Sequence, residues 1–116
     1  LYKKFNDHKL SELVVTSLIE KGLVNDHRFA EMYIIARKRK GFGPKKIAYE
    51  LLAKGVSDDI SSQALNEEGG WRIAALNAFN KKYKNGIADN FKEMNKQKIF
   101  LQNRGFTFEE IDSVFS

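Results

Sequence analysis

Six basic side chains crowd into the stretch from Arg37 to Lys46: Arg37, Lys38, Arg39, Lys40, Lys45 and Lys46. Adding Arg28 and Lys54, the segment 28–54 holds eight cations against Glu31 and Glu50, a local excess of six, whereas the whole 116-residue chain carries +5. Cations at this density attract a polyanion, either nucleic-acid phosphate or an acidic protein face. The competing use is at a helix end, where Lys and Arg offset the negative pole of the helix dipole. Phe42 sits inside the basic stretch and Tyr49 lies just after it, off the apolar stripe. Both rings are placed to touch a partner. Phe29, Tyr33, Trp71 and Phe79 instead fall on inward helical stripes and read as core.

Catalytic chemistry has little to work with. There is no cysteine, so disulfides, thiolate metal sites and thiol nucleophiles are out. His8 and His27 are 19 residues apart, outside any H-E-x-x-H pattern, and read as surface polar groups near helix N-termini. No G-x-S-x-G exists. Gly41-Phe42-Gly43 lacks the Gly-Lys-Ser/Thr element of a phosphate loop, and Pro44 removes a backbone donor. Asp58-Asp59 and Glu109-Glu110 fall in first helical turns, where carboxylates stabilise the dipole. The expectation is a binding protein that is not an enzyme, with no cofactor and no metal.

Composition agrees with a folded domain. Apolar residues make up 42% and charged residues 30%, outside the range of a disordered chain. No apolar run approaches the ~20 residues of a membrane helix, and no signal peptide is visible, so a cytoplasmic location without membrane contact is expected. The chain starts at Leu1 without Met and reads as a piece of a longer protein.

The elements that must position these groups are helices. The chain has one proline, lacks sustained alternation, and spaces its apolar residues at helical intervals. Leu10, Leu13, Val14 and Leu18 mark a helix over about 7–21, ended by Gly22. Asp26 is the expected N-cap of the next helix, with Phe29, Met32, Tyr33 and Ala36 inward and Arg28, Glu31, Lys38 and Arg39 outward. The run 40–44 is a joint. Gly41 closes one helix in the left-handed conformation, Gly43 caps the next, and Pro44 suits its first position. Ile47, Ala48, Leu51 and Leu52 then face inward. A short helix is expected from Ser57 or Asp58 to Leu65, with a loop over 67–70. Further helices are expected from Trp71 to Tyr83, from an Asp89 cap to Arg104 with Phe91, Met94 and Leu101 apolar, and after Thr107. There, Glu110 completes a capping-box pattern, and Ile111, Val114 and Phe115 form the stripe.

An internal echo organises these helices. Lys54-Gly55-Val56-Ser57 with Ala64-Leu65 matches Arg104-Gly105-Phe106-Thr107 with Val114-Phe115 at an offset of 50 residues. Residues 1–21 resemble the tail of the same unit at an offset near 51. The reading is all-α, as tandem three-helix repeats of about 50 residues: the end of a first unit over 1–24, a second over 25–68 and a third over 69–116. Such an array should have a radius of gyration well above the ~13 Å of a compact globule this long.

The ordered motifs resemble the RecX family. Residues 22–33 (GLVNDHRFAEMY) look like its hallmark. Arg37 to Ile47, Glu50-Leu51 and Lys54-Gly55-Val56 are similar to its R-x-x-K-G-x-G-P-x-x-I-x-x-E-L-x-x-K-G-I run, and Trp71, Ala74-Ala75, Phe100-Leu101 and Arg104-Gly105-Phe106 to its third unit. Asn25 replaces the usual Asp. Ile99 stands where a basic residue is common, which puts a cationic contact there in doubt. The resemblance implies an elongated, curved array that acts as a monomer. It implies binding to the RecA filament on single-stranded DNA, in the filament's helical groove, limiting strand exchange, ATP hydrolysis and co-protease activity, with direct contact to single- or double-stranded DNA as a further possibility. The expected contact set is Arg28, Arg37, Lys38, Arg39, Lys40, Phe42, Lys45 and Lys46, presented by Gly41, Gly43 and Pro44. Reversing Arg37 and Arg39 to Glu should then weaken binding without unfolding the chain. A plain, sequence-independent nucleic-acid binder using the same cations is the alternative.

Overall fold

The structure is a computed structural model that describes residues 26–116. The expected helix over 7–21, its stop at Gly22 and the 1–24 unit lie outside the described residues. Six helices follow: α1 (Asp26–Arg39), α2 (Pro44–Ala53), α3 (Asp58–Glu68), α4 (Trp71–Lys82), α5 (Phe91–Asn103) and α6 (Phe108–Phe115). They form two triplets. α1, α2 and α3 pack on one another, as do α4, α5 and α6. The molecule measures 52 × 29 × 17 Å with a radius of gyration of 16.0 Å, against about 13 Å for a compact chain of this length.

Each triplet encloses its own core. Phe29, Ala30, Tyr33 and Ile34 of α1 meet Ile47, Leu51, Val56, Ala64 and Leu65. Ala74, Ala75, Ala78 and Phe79 of α4 meet Leu101, Phe106, Ile111 and Val114. Trp71 packs against both cores, and its indole N–H donates to the Leu65 carbonyl at 2.9 Å. The first residue of α4 is thus a pin between the triplets.

The internal echo is visible in the backbone. Gly55 and Gly105 both take positive φ, +92° and +96°, where a side chain would be strained. The next residue donates back across the turn in each case, Val56 N to Leu51 O at 3.0 Å and Phe106 N to Leu101 O at 3.2 Å. A hydroxyl then caps the short third helix, Ser57 accepting from Ile60 N at 3.3 Å and Thr107 from Glu110 N at 3.2 Å. Glu110 returns the bond to Thr107 N at 2.9 Å, completing the capping box. The 40–44 joint also follows expectation. Gly41 has φ +92°, Gly43 is the extended N-cap of α2, and Pro44 is its first residue.

Several positions differ from the periodic reading. Met32 is 53% exposed and Ala36 is exposed, while Ala30 and Ile34 are buried in their place. Residues 32–36 are apolar all round apart from the Tyr33 hydroxyl, so spacing alone does not choose the inward face. Leu52 is exposed for the same reason, since adjacent Leu51 takes the core position. Phe91 is 74% exposed at the start of α5 and packs no core. Asp26 lies within the first turn of α1. The cap of α5 is Asn90, whose side chain accepts from Glu93 N at 2.8 Å; Asp89 stands one residue too early. α3 runs on to Glu68, so 67–68 are helical and the turn is only Gly69-Gly70.

Candidate functional site

The basic stretch spans the end of α1, the joint and the start of α2, and tertiary contacts divide its cations into two groups. Arg37 faces inward. Its Nε and Nη2 donate to Glu50 Oε1 and Oε2 at 2.9 and 3.0 Å, a bidentate pair between α1 and α2. Tyr33 Oη donates to the same carboxylate at 2.8 Å. The side chains of Arg37 and Glu50 are only 16% and 20% exposed, so reversing Arg37 would place two carboxylates together in a half-buried site. Its reversal therefore tests folding as well as binding. Lys38 reaches α3, where its Nζ donates to Glu68 Oε2 and to the Gly69 carbonyl, both at 2.8 Å, and lies 5.2 Å from the Trp71 ring centre. Although expected on the outward face, it closes the turn between the triplets.

The Phe42 ring is occupied within the chain. The Arg37 and Arg104 guanidinium carbons lie 4.1 and 4.9 Å from its centre, and Lys46 Nζ lies 5.7 Å away. Arg28, Arg39, Lys40 and Lys45 are exposed, with Lys45 Nζ 5.8 Å from the Phe108 ring. Tyr49 is 74% exposed.

Gly43 and Pro44 present this face because they dock on the other triplet. Gly43 N donates to Arg104 O at 2.7 Å and Lys45 N to Gly105 O at 2.9 Å. The open amides of the α2 N-terminus are thus met by carbonyls at the end of α5. A Cβ on Gly43 would fall 2.5 Å from the Gly105 carbonyl carbon, and one on Gly105 would collide with Lys46. Both glycines are required by backbone contact.

This docking gathers cations that sequence order keeps apart. Lys40, Lys81, Lys82 and Arg104 line one small pocket with Gly41, Ala78 and Phe100, and no carboxylate lines it. Arg104 Nη1 donates to the Lys40 carbonyl at 3.3 Å. Lys81, Lys82 and Arg104 were outside the expected contact set. The repeat offset could have suggested Arg104, since it echoes Lys54; nothing in the sequence places α4's lysines beside Lys40. His27 is a separate matter. Its Nε2 lies 3.2 Å from Glu31 and 3.4 Å from Glu67, a half-exposed polar cluster where α1 meets α3. It is the one group of metal-ligating types found together among the described residues. No described helix is long and apolar enough to cross a membrane.

Tandem three-helix units sharing a cationic joint define a helical-repeat protein built to offer surface. Two family models match the chain: RecX, second three-helix domain, over residues 25–65, and RecX, third three-helix domain, over residues 74–115. Regulatory protein RecX of Pectobacterium atrosepticum is 35% identical over 106 residues, covering 90% of this chain and 65% of that protein. Its namesake in Legionella pneumophila strain Corby is 40% identical over 95 residues, covering 81% and 63%. The crystal structure of RecX from Lactobacillus salivarius superposes with a TM-score of 0.65 at 26% identity, covering 95% of this chain and 73% of that one. The chain belongs to the RecX family. It spans a little under two thirds of these two curated relatives' length.

Proposed function

We propose that this chain is a non-catalytic regulator that binds the RecA filament on single-stranded DNA, seated in the filament's groove, and lowers RecA's recombinase, ATPase and co-protease activity. The curated relatives' name, Regulatory protein RecX, supports the regulatory part. The observation that carries the binding part is the carboxylate-free pocket where Lys40 meets Lys81, Lys82 and Arg104. Cations from two repeats converge there on one face, as an acidic or phosphate-bearing surface would require. In this reading Arg28, Arg39, Lys40, Lys45 and Lys46 make the contact, Arg37, Lys38 and Phe42 hold its shape, and the units 25–68 and 69–116 act together as a cytoplasmic monomer without a cofactor.

The test is fluorescence anisotropy of the labelled chain, titrated with RecA–single-stranded DNA filaments and with the same DNA bare at ~0.15 M salt. Much tighter binding to the filament is expected. Arg39→Glu with Lys81→Glu should weaken it about tenfold or more, mostly through slower association, with an unchanged melting curve. Equal binding to filament and bare DNA favours the second reading, a sequence-independent nucleic-acid binder, which the same carboxylate-free pocket also suits. Its affinity would fall steeply with salt.

A further inference from the structure

We propose that the groove between α1 and α4 seats a partner polypeptide segment in which carboxylates stand beside large aliphatic side chains. This deepens the filament-binding reading and rests on it for the identity of the partner. α4 begins at the Gly69-Gly70 turn, to which α1 is tied through Lys38, and the two helices leave between them a groove of about 860 Å³, within the ~300–1,000 Å³ of sites that hold ligands. Ile35 on one wall and Ile73 on the other are 40% and 65% exposed, and Ala74 and Ala78 also line the groove. Arg39 and Lys81 line it too. Glu68 is the groove's one lining carboxylate, and its Oε2 is 2.8 Å from Lys38 Nζ. The charge offered to an occupant is therefore positive, and the apolar surface is aliphatic. The groove joins the basic pocket described above through shared Gly41, Ala78 and Lys81.

This chemistry favours a polypeptide over a nucleic acid. Single-stranded nucleic acid is held by cations together with rings on which bases stack. Here the nearby rings are already faced by cations, Trp71 by Lys38 and Phe42 by Arg37 and Arg104. Bare isoleucines gain only from burial against apolar groups, and a groove between two helices suits a helical segment whose apolar anchors recur every three or four residues.

The test exploits opposite signs. Ile35→Lys with Ile73→Lys removes aliphatic surface while adding positive charge. The probes are a labelled amphipathic Leu/Glu peptide about four helical turns long and a labelled oligothymidine, each titrated with the full chain. Peptide affinity should fall about tenfold in the variant, while oligothymidine affinity holds or rises. Ile73→Lys alone, at the more exposed position, serves as the second variant if the double one melts early. Failure of the peptide to bind the unmodified chain overturns the proposal. So does peptide binding that holds or tightens with the added lysines, or oligothymidine binding that falls with them. Filament titrations separate the two readings. Filament binding that survives both substitutions overturns the groove proposal and leaves the filament reading standing. Peptide binding in the groove by a chain that ignores filaments overturns the filament reading instead.

Discussion

Arg37 shows how a residue's role depends on what stands opposite it. In sequence it is one cation among six. In the fold its guanidinium closes a fork-to-fork pair with Glu50 and covers Phe42. Arg37→Glu should cost about 2–4 kcal/mol, because it breaks a half-buried pair and leaves Glu50 facing a like charge; urea denaturation monitored by circular dichroism checks this. Arg39→Glu at the neighbouring exposed position should change stability by less than about 0.5 kcal/mol in the same assay. Gly105 belongs at this scale as well. Gly105→Ala places a Cβ against Lys46 on a residue with φ +96°. A loss of at least about 2 kcal/mol is expected, since the clash lies with backbone and the first atoms of a side chain rather than with a flexible tip.

At the scale of elements, the termini were the most legible features because their chemistry is local. The Gly41-x-Gly43-Pro44 joint, the Gly55 turn and the Thr107–Glu110 capping box depend on residues one to three positions apart and formed as read, whereas the expected Asp26 and Asp89 caps and the end of α3 at Leu65 did not. Faces were legible only where polar residues alternate with apolar ones. α6 satisfies this, with Ile111 and Val114 buried; the apolar run 32–36 does not. In the loop between α4 and α5, Asn85-Gly86 marks a turn, and Gly86 takes φ +85° with its N–H donating to Tyr83 O at 3.3 Å, but what fastens the rest of the loop was not legible. Gln97, one of two buried polar residues among those described, fastens it, its amide donating to Gly86 O at 3.1 Å and accepting from Ala88 N at 3.0 Å. A glutamine inside a helical stripe gives no sign of this. Gln97→Ala should cost about 1–3 kcal/mol through the two unmet backbone groups, read as a lower thermal midpoint and faster amide exchange at Ala88.

For the whole molecule, the open question is what holds the two triplets at a fixed angle, since each has its own core. Among the described residues the contacts that do so include Trp71 packed in both cores, the α2 N-terminus docked on Arg104-Gly105, Arg104 set on the Lys40 carbonyl and the Phe42 ring, and Lys38 bridging Glu68 and the Gly69 carbonyl beside a turn of two positive-φ glycines. Lys38→Met keeps much of the packing stem and removes the bridge. Helix content should stay the same while the radius of gyration measured by X-ray scattering rises or its distribution broadens. An unchanged scattering profile would mean that Trp71 and the glycine docking suffice. On the filament-binding reading proposed above, the same variant should also bind filaments more weakly even though Lys38 itself is turned inward, because the groove and the basic pocket both depend on the angle between triplets.

Local sequence determined that residues 26–116 are helical, where the joint at 40–44 and the last capping box fall, that the Gly55 and Gly105 turns echo each other at fifty residues, and that the cations concentrate in the second unit. These properties follow from spacings of a few residues and from composition, which act on the backbone before any long-range contact forms. Only the tertiary structure decided which cations face solvent, which ring faces are covered, and which lysines of the third unit stand beside Lys40. Those outcomes depend on side-chain pairs between helices, Arg37 with Glu50 and Lys38 with Glu68, and, for the lysines beside Lys40, on backbone contacts between the joint and the end of α5, Gly43 with Arg104 above all. Such backbone contacts are set by the close approach that two glycines permit, and no periodicity in the chain encodes the partner of either one.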